Sequence, residues 1–255
     1  MTLERIQKIL AHAGYGSRRS CEKLISEGRI RVNNRPVKLG DKADASIDLI
    51  TIDGRKVEVP QEKVYIALNK PRNVISAVRS PDPRRTVRDL INIDDAIYPV
   101  GRLDSDSEGL ILLTNDGDLA NRLTHPRYQH EKEYRVLVAR HPDNEQMDLW
   151  RRGVVLEDGY KTKPAVVHFL SSSGKGAWLR IILREGRKRQ IREMGKVTGL
   201  PIVSIVRMRI ATLKLENLKS GEWRYLSQDE IKSLKGITKG YQRHVRVVDK
   251  KKKKK

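Results

Sequence analysis

The sequence is poor in several things at once. It holds one cysteine, Cys21, and one phenylalanine in 255 residues, and aromatic residues make up only 5%. A lone cysteine excludes an internal disulfide and a cysteine-based zinc site, and it fits a reducing cytosol. With eight tyrosines, three tryptophans and one phenylalanine, there is no broad aromatic platform for stacking unpaired nucleotides. No apolar run approaches the roughly 18 residues that a membrane-spanning helix needs. The first residues, Met1-Thr2-Leu3-Glu4-Arg5, lack the apolar core of a secretory signal, so a cytoplasmic protein is expected. The six histidines are scattered and have no metal-like partners, so no metal site is expected.

Acidic residues are short relative to basic ones. Lys and Arg number 53 against 32 Asp and Glu, a formal net charge of +21. Such an excess predicts a polyanionic partner, nucleic acid or an anionic surface. The excess runs through the chain: residues 1–60 carry a net +4, 61–238 a net +9 and 239–255 a net +8. The last segment ends in six lysines and reads as a solvated, disordered tail. No internal repeat is visible.

The pattern of the first 60 residues predicts a compact module. Leu3, Ile6, Leu10 and Ala13 fall at helical spacing up to Gly14 or Gly16. Ser17 is a natural N-cap for a second helix, with Cys21, Leu24 and Ile25 on its apolar face and Gly28 as its stop. Ile30 and Val32 alternate with arginines as in a half-buried strand, Asn33-Asn34 suits a tight turn, and Asp53-Gly54 suits another between strands at 49–52 and 56–59. Arg5, Arg18, Arg19, Lys23 and Arg31 concentrate positive charge on these elements. Closely spaced guanidinium groups and helix N-termini bind phosphate, which makes these five the candidate nucleic-acid contacts; a plain solvated surface is the alternative.

From residue 61 the pattern changes to a mixed α+β domain with a mainly antiparallel sheet. Strands are expected at 64–68, 109–114, 134–139, 165–170, 177–183 and 202–208, and helices at 84–91, 118–123, 144–152 and 188–197. Ser227 and Glu230 form a capping box for a last helix over 227–235. The domain boundaries expected are therefore 1–60, 61–238 and 239–255.

One run stands out: Pro99-Val-Gly-Arg-Leu-Asp104-Ser-Asp-Ser-Glu-Gly109, leading into Leu110–Leu113 and Thr114-Asn-Asp-Gly117. Asp104, Asp106 and Glu108 before a glycine have the look of a calcium loop. That reading fails, because the twelfth position is Asn115 and the ninth is Leu112. A glycosidase would pair two carboxylates, but no sugar-binding aromatic cluster accompanies them. Ser171-Ser-Ser-Gly-Lys175-Gly lacks the upstream glycine and the following Ser/Thr of a phosphate loop, and reads as a hairpin turn.

Two resemblances gather these signals. Residues 5–14, 17–25 and 28–33 resemble the S4-type RNA-binding module. Gly101-Arg-Leu-Asp104 with its flanks resembles the signature of the pseudouridine synthase family that includes the small- and large-subunit ribosomal RNA enzymes. Leu68-Asn-Lys-Pro71, Lys132-Glu-Tyr134-Arg-Val136 and Glu185-Gly-Arg-Lys-Arg-Gln-Ile-Arg-Glu-Met194 agree with the same family in order. The resemblance implies an S4-like α/β module followed by an α+β synthase domain, with no cofactor, because uridine isomerisation involves no redox change. It implies one essential aspartate, Asp104, acting either as a nucleophile at C1′ or by assisting a glycal intermediate. Arg192 is its expected cation and Arg187 the second choice. Tyr134 would lie against the uracil, Leu183 would line its pocket, and Arg102 would fill the space the flipped nucleotide leaves. The expected partner is structured ribosomal RNA or an assembling subunit, bound by a monomer. Large-subunit RNA is the first expectation and small-subunit RNA the second. A non-catalytic ribosome-assembly protein is the rival. It would have lost at least one of Asp104, Tyr134 and Arg192.

Overall fold

The computed structural model describes residues 3–60 and 62–237. The expected basic tail over 239–255 lies outside the described residues. The chain divides into two compact units. One is built from residues up to Val64 with Ile93–Ile97 and Thr114–Gly117, and the other from Tyr65–Asn92, Tyr98–Leu113 and the chain from Asp118 onward.

The first unit opens with a helix at Ile6–His12 and a second at Arg18–Ser26. Ser17 caps the second helix by accepting from Ser20 N–H at 3.1 Å. A four-stranded antiparallel sheet follows, centred on Ile30–Val32 and Ile50–Ile52. Its tight turn holds Asn33 and Asn34 at φ of 50° and 66°, the two left-handed residues that a type I′ hairpin requires. Ile6, Ile9, Leu10, Cys21, Ile25 and Ile30 close the core. Burial pushes the Cys21 thiol up, so it behaves as a small core residue.

Thr114, Asn115 and Asp116, the tail of the signature run, belong to this unit. Thr114 Oγ1 donates to Val64 O, Asn115 accepts from Val64 N–H and donates to Glu62 O, and Asp116 lies 3.4 Å from the Lys63 ammonium. These polar residues are buried, and their hydrogen bonds satisfy the backbone of residues 62–64.

The second unit is α+β. Its sheet runs Val166–Ser173, Gly176–Leu183, Lys132–Val138, Ile202–Ile210, Glu108–Thr114, Tyr65–Lys70 and Trp223–Tyr225 in spatial order. Lys132–Val138 is antiparallel to both neighbours, whereas Ile202–Ile210 meets Glu108–Thr114 in parallel. Helices Asn144–Arg152 and Gln190–Val197 bury Met147, Trp150, Ile191 and Met194 against the first half of the sheet. Helix Gly117–Thr124 buries Leu119 and Leu123 against the second half, with Leu110, Leu112 and Leu234. The capping box at Ser227 and Glu230 forms in both directions, 3.2 Å and 2.8 Å, ahead of a helix over 228–237.

Two expectations need correction, and two strands are additional. The helix expected over 84–91 shrinks to one 3-10 turn, Arg88–Leu90. Thr86 instead bridges Ile75, and Val87 N–H donates to Ile75 O, so tertiary pairing overrides the helical spacing. The helix expected from Lys188 begins at Gln190, because Arg189 takes a left-handed conformation at φ 53°. Tyr98–Val100 and Trp223–Tyr225 are strands that short length and Pro99 had concealed.

Candidate active site

Asp104 sits on the loop between Tyr98–Val100 and Glu108–Thr114, and each backbone neighbour is tied down. Ser76 grips Leu103 twice, its Oγ donating to Leu103 O at 2.8 Å and accepting from Leu103 N–H at 3.1 Å. Ser105 O accepts from Asn73 N–H at 2.7 Å and from the Lys70 ammonium at 3.3 Å. Lys70 is fully buried and also donates to Pro71 O and Val74 O; burial pushes its pKa down to about 8. The Arg102 carbonyl accepts from Arg207 Nη1 at 3.3 Å. The carboxylate is therefore carried on a rigid backbone, with its side chain 32% exposed.

The three carboxylates of the run share three arginines. Asp104 Oδ2 lies 3.8 Å from Arg189 Nη1. Asp106 lies 3.6 Å from Arg189 and 3.0 Å from Arg192 Nη2. Glu108 accepts from Arg72 Nε at 3.0 Å. The expected partner of Asp104 thus differs from the observed one. Arg192, on the first turn of its helix, bonds Asp106 and the Asp106 carbonyl, and its side chain is only 14% exposed. Arg187 donates to Asp158 at 2.7 Å and lies over the Tyr160 ring. The left-handed turn at Arg189 swings that residue toward Asp104, which no periodicity in the sequence signals.

A cleft of about 580 Å³ opens beside Asp104. Asp104, Tyr134, Leu183, Arg102 and Arg187 all line it, and so does Arg189; Arg192 stands outside the lining. Tyr134 and Leu183 are buried, Arg102 and Arg187 exposed. Tyr134 comes from the central strand Lys132–Val138 and faces Arg207 directly across the pairing with Ile202–Ile210. A bulge that skips Met208 sets this register.

Arg207 and Lys132 were not singled out from the sequence. Arg207 is fully buried, and its Nε donates to Leu110 O at 2.7 Å. Burial lowers its pKa. Lys132 lines the cleft two residues before Tyr134, on the same face of the strand. The available signal was parity: a lysine two before the marked tyrosine must point inward with it.

In the first unit, Arg5, Arg18, Arg19, Lys23 and Arg31 are all exposed. Arg18 and Arg19 open their helix just after its cap, and Lys23 lies 3.7 Å from Glu27. Arg31 donates to Asn34 O at 3.2 Å. Among the described residues, no helix is long and apolar enough to cross a membrane.

Comparison with known proteins agrees with this architecture. The RNA pseudouridylate synthase family model matches residues 64–196, and the S4 domain model matches 4–46. A ribosomal large subunit pseudouridine synthase B of Bacillus subtilis (strain 168) is 43% identical over 239 residues, covering 92% of this chain and 97% of that protein. An uncharacterized RNA pseudouridine synthase of Aquifex aeolicus (strain VF5) is 42% identical over 233 residues, covering 90% and 93%. A crystal structure of a pseudouridylate synthase superposes with a TM-score of 0.66 at 29% identity, covering 90% of this chain and 99% of that one. A matching family model over half the chain, close relatives over nearly all of it, and an aspartate on a pinned loop beside a cleft lead to one conclusion: the chain belongs to the RNA pseudouridylate synthase family.

Proposed function

We propose that the protein isomerises a uridine of large-subunit ribosomal RNA to pseudouridine, with Asp104 acting at the ribose. The observation that carries this reading is the pairing of Asp104 and Tyr134 across one cleft, the first on a pinned loop and the second on the central strand. The large-subunit assignment rests on the relative of that name, of which the chain covers 97%.

The isomerisation balances internally. The N1–C1′ bond breaks, the ring turns, and a C5–C1′ bond forms. The proton lost from C5 matches the one gained at N1, so no oxidant, reductant or co-substrate is needed. Asp104 acts as the carboxylate, with Arg189 Nη1 3.8 Å from its Oδ2. Tyr134 packs its ring against the uracil, with Leu183 on the apolar side of the pocket. Arg102 and Arg187, exposed at the rim, take the backbone or the gap left by the extruded nucleotide. Arg192 acts through Asp106, holding the loop that bears Asp104. In the S4 unit, Arg5, Arg18, Arg19, Lys23 and Arg31 contact phosphates of structured RNA, and the protein works as a monomer in the cytoplasm.

The test uses ribosomal RNA purified from cells that lack the gene. Wild-type protein is expected to convert a uridine in the large-subunit RNA. Asp104→Asn is expected to lose at least a thousandfold in turnover while RNA affinity stays within twofold. An active Asn variant ends the assignment of Asp104, and conversion confined to small-subunit RNA ends the substrate assignment.

A further inference from the structure

Breaking the N1–C1′ bond leaves an electron pair on the uracil. The negative charge spreads from N1 onto the ring carbonyl oxygens, and a catalyst gains by placing fixed donors there. Asp104 has the wrong sign for this task. Arg189 and Arg192 are held by Asp104 and Asp106.

The cleft has a second cationic end. Lys132 and Tyr134 point the same way from the central strand, and Lys132 stands opposite Leu183 on one neighbour and Ile210 on the other. The Lys132 ammonium donates to His130 O at 3.3 Å, a long bond to a neutral acceptor. Arg207 donates to two carbonyls, Leu110 O and Arg102 O, and its buried Nη2 has no hydrogen-bond acceptor. Both residues line the cleft. Among the described residues, neither forms an ion pair. Burial and repulsion from Arg207 together push the Lys132 pKa down to about 8. Two cations that line one cleft without an ion-pair partner, Arg207 buried and Lys132 half-buried, raise the cost of folding, and an anion in the cleft relieves it.

We propose that Lys132 is a further catalytic residue, whose ammonium donates to a carbonyl oxygen of the flipped uracil and stabilises the anion formed as N1 leaves C1′. Arg207 is the positioning residue behind it, joining the Asp104 loop through Arg102 O to the strand opposite Tyr134. Lys132 keeps its proton throughout. The electron pair passes from the N1–C1′ bond to the ring and returns to C1′ from C5. An ammonium on a flexible stem suits a ring that must turn between the two bonds, because any of its three N–H groups can follow the oxygen. The inference rests on the proposed reading of the cleft as the uracil site.

The experiment compares full-length Lys132→Met, Lys132→Arg and Lys132→Ala in single turnover, on the same ribosomal RNA and beside Asp104→Asn. Met is expected to lower the rate at least a hundredfold with RNA affinity within threefold. Arg is expected to recover to within tenfold of wild type. Ethylammonium is expected to raise the Ala rate at least tenfold and saturably, whereas tetramethylammonium, which has no N–H, does nothing at the same ionic strength. A Met variant within threefold of wild type overturns the proposal. So does an inactive Ala variant that ethylammonium fails to rescue, since Lys132 would then serve only the fold. If Asp104→Asn is inactive while Lys132→Met is not, only this inference falls. If Asp104→Asn is active, the reading of the cleft falls first.

Discussion

The two faces of the strand Lys132–Val138 handle charge in opposite ways. On one face Glu133 takes Arg180 at 2.7 Å and Arg209 at 3.1 Å, and Glu131 takes Arg184 at 3.0 Å and Arg209 at 3.2 Å. These arginines hold both carboxyls below the usual carboxylate range. On the other face Lys132 meets the His130 carbonyl, and Arg207 meets the Leu110 and Arg102 carbonyls and the Tyr134 side chain. A network in which every charge has a partner is a structural device, and its members gain little from an added ligand. A face that carries cations without counter-charges is costly to keep, and such a face suits an anion.

The comparison breaks most severely at Gly109. There the strand Glu108–Thr114 runs beside Arg207 so closely that a Cβ would lie 2.4 Å from Arg207 O and 2.5 Å from Arg207 N, at φ +104°. Gly109→Ala must push back the backbone that carries the buried guanidinium. The expected cost is about 3 kcal/mol or more, a fall in Tm of roughly 6–12 °C, with turnover lost even in the folded fraction. Thermal unfolding and single-turnover assay of the same preparation check this. A variant as stable and active as wild type would show that the close crossing does not matter. Glu133→Ala is the milder break on the opposite face. It leaves Arg180 and Arg209 short of a partner and should cost about 1 kcal/mol, with turnover at 25 °C within twofold of wild type. A large loss of turnover there would erase the distinction between the faces.

Much of this was legible in the sequence where the cause is local. Asp143 and Gln146 form their capping box and fix the helix Asn144–Arg152 at the residues expected. Ser227 and Glu230 do the same near the end of the described chain. Asp104, Tyr134 and Leu183 come together because strand parity and one loop suffice to aim them. The partner of Asp104 was not legible. Arg187, Arg189 and Arg192 compete within one basic run, and the winner depends on where the helix starts, which the φ of Arg189 decides. Residues 84–91 failed for a similar reason: their helical spacing is genuine, but Ile75 claims Thr86 and Val87 for a bridge. Arg207 escaped notice because a bulge at Met208 sets its facing, and a bulge leaves no mark in alternation read from one strand.

A last expected effect sharpens the comparison from the stability side. The folded protein holds the Lys132 proton only up to about pH 8, whereas the unfolded chain holds it to the ordinary value of 10.5. Between these limits the unfolded state binds more protons, so stability attributable to Lys132 rises with pH from about 8 toward 10.5 and is absent below 8. Lys70, also near 8, adds a rise of the same sign. Lys132→Met removes only the first contribution. At pH 7 the variant should be the more stable protein by about 1–2 kcal/mol, because a desolvated ammonium has gone. Its advantage should shrink as the pH approaches 10. Urea unfolding of both proteins at pH 7 and pH 10 reads the difference directly, with Lys70 cancelling between them. A variant that gains stability while losing turnover fits a catalytic cation; one that loses stability while keeping turnover would place Lys132 with Glu133, among the residues that only hold the sheet together.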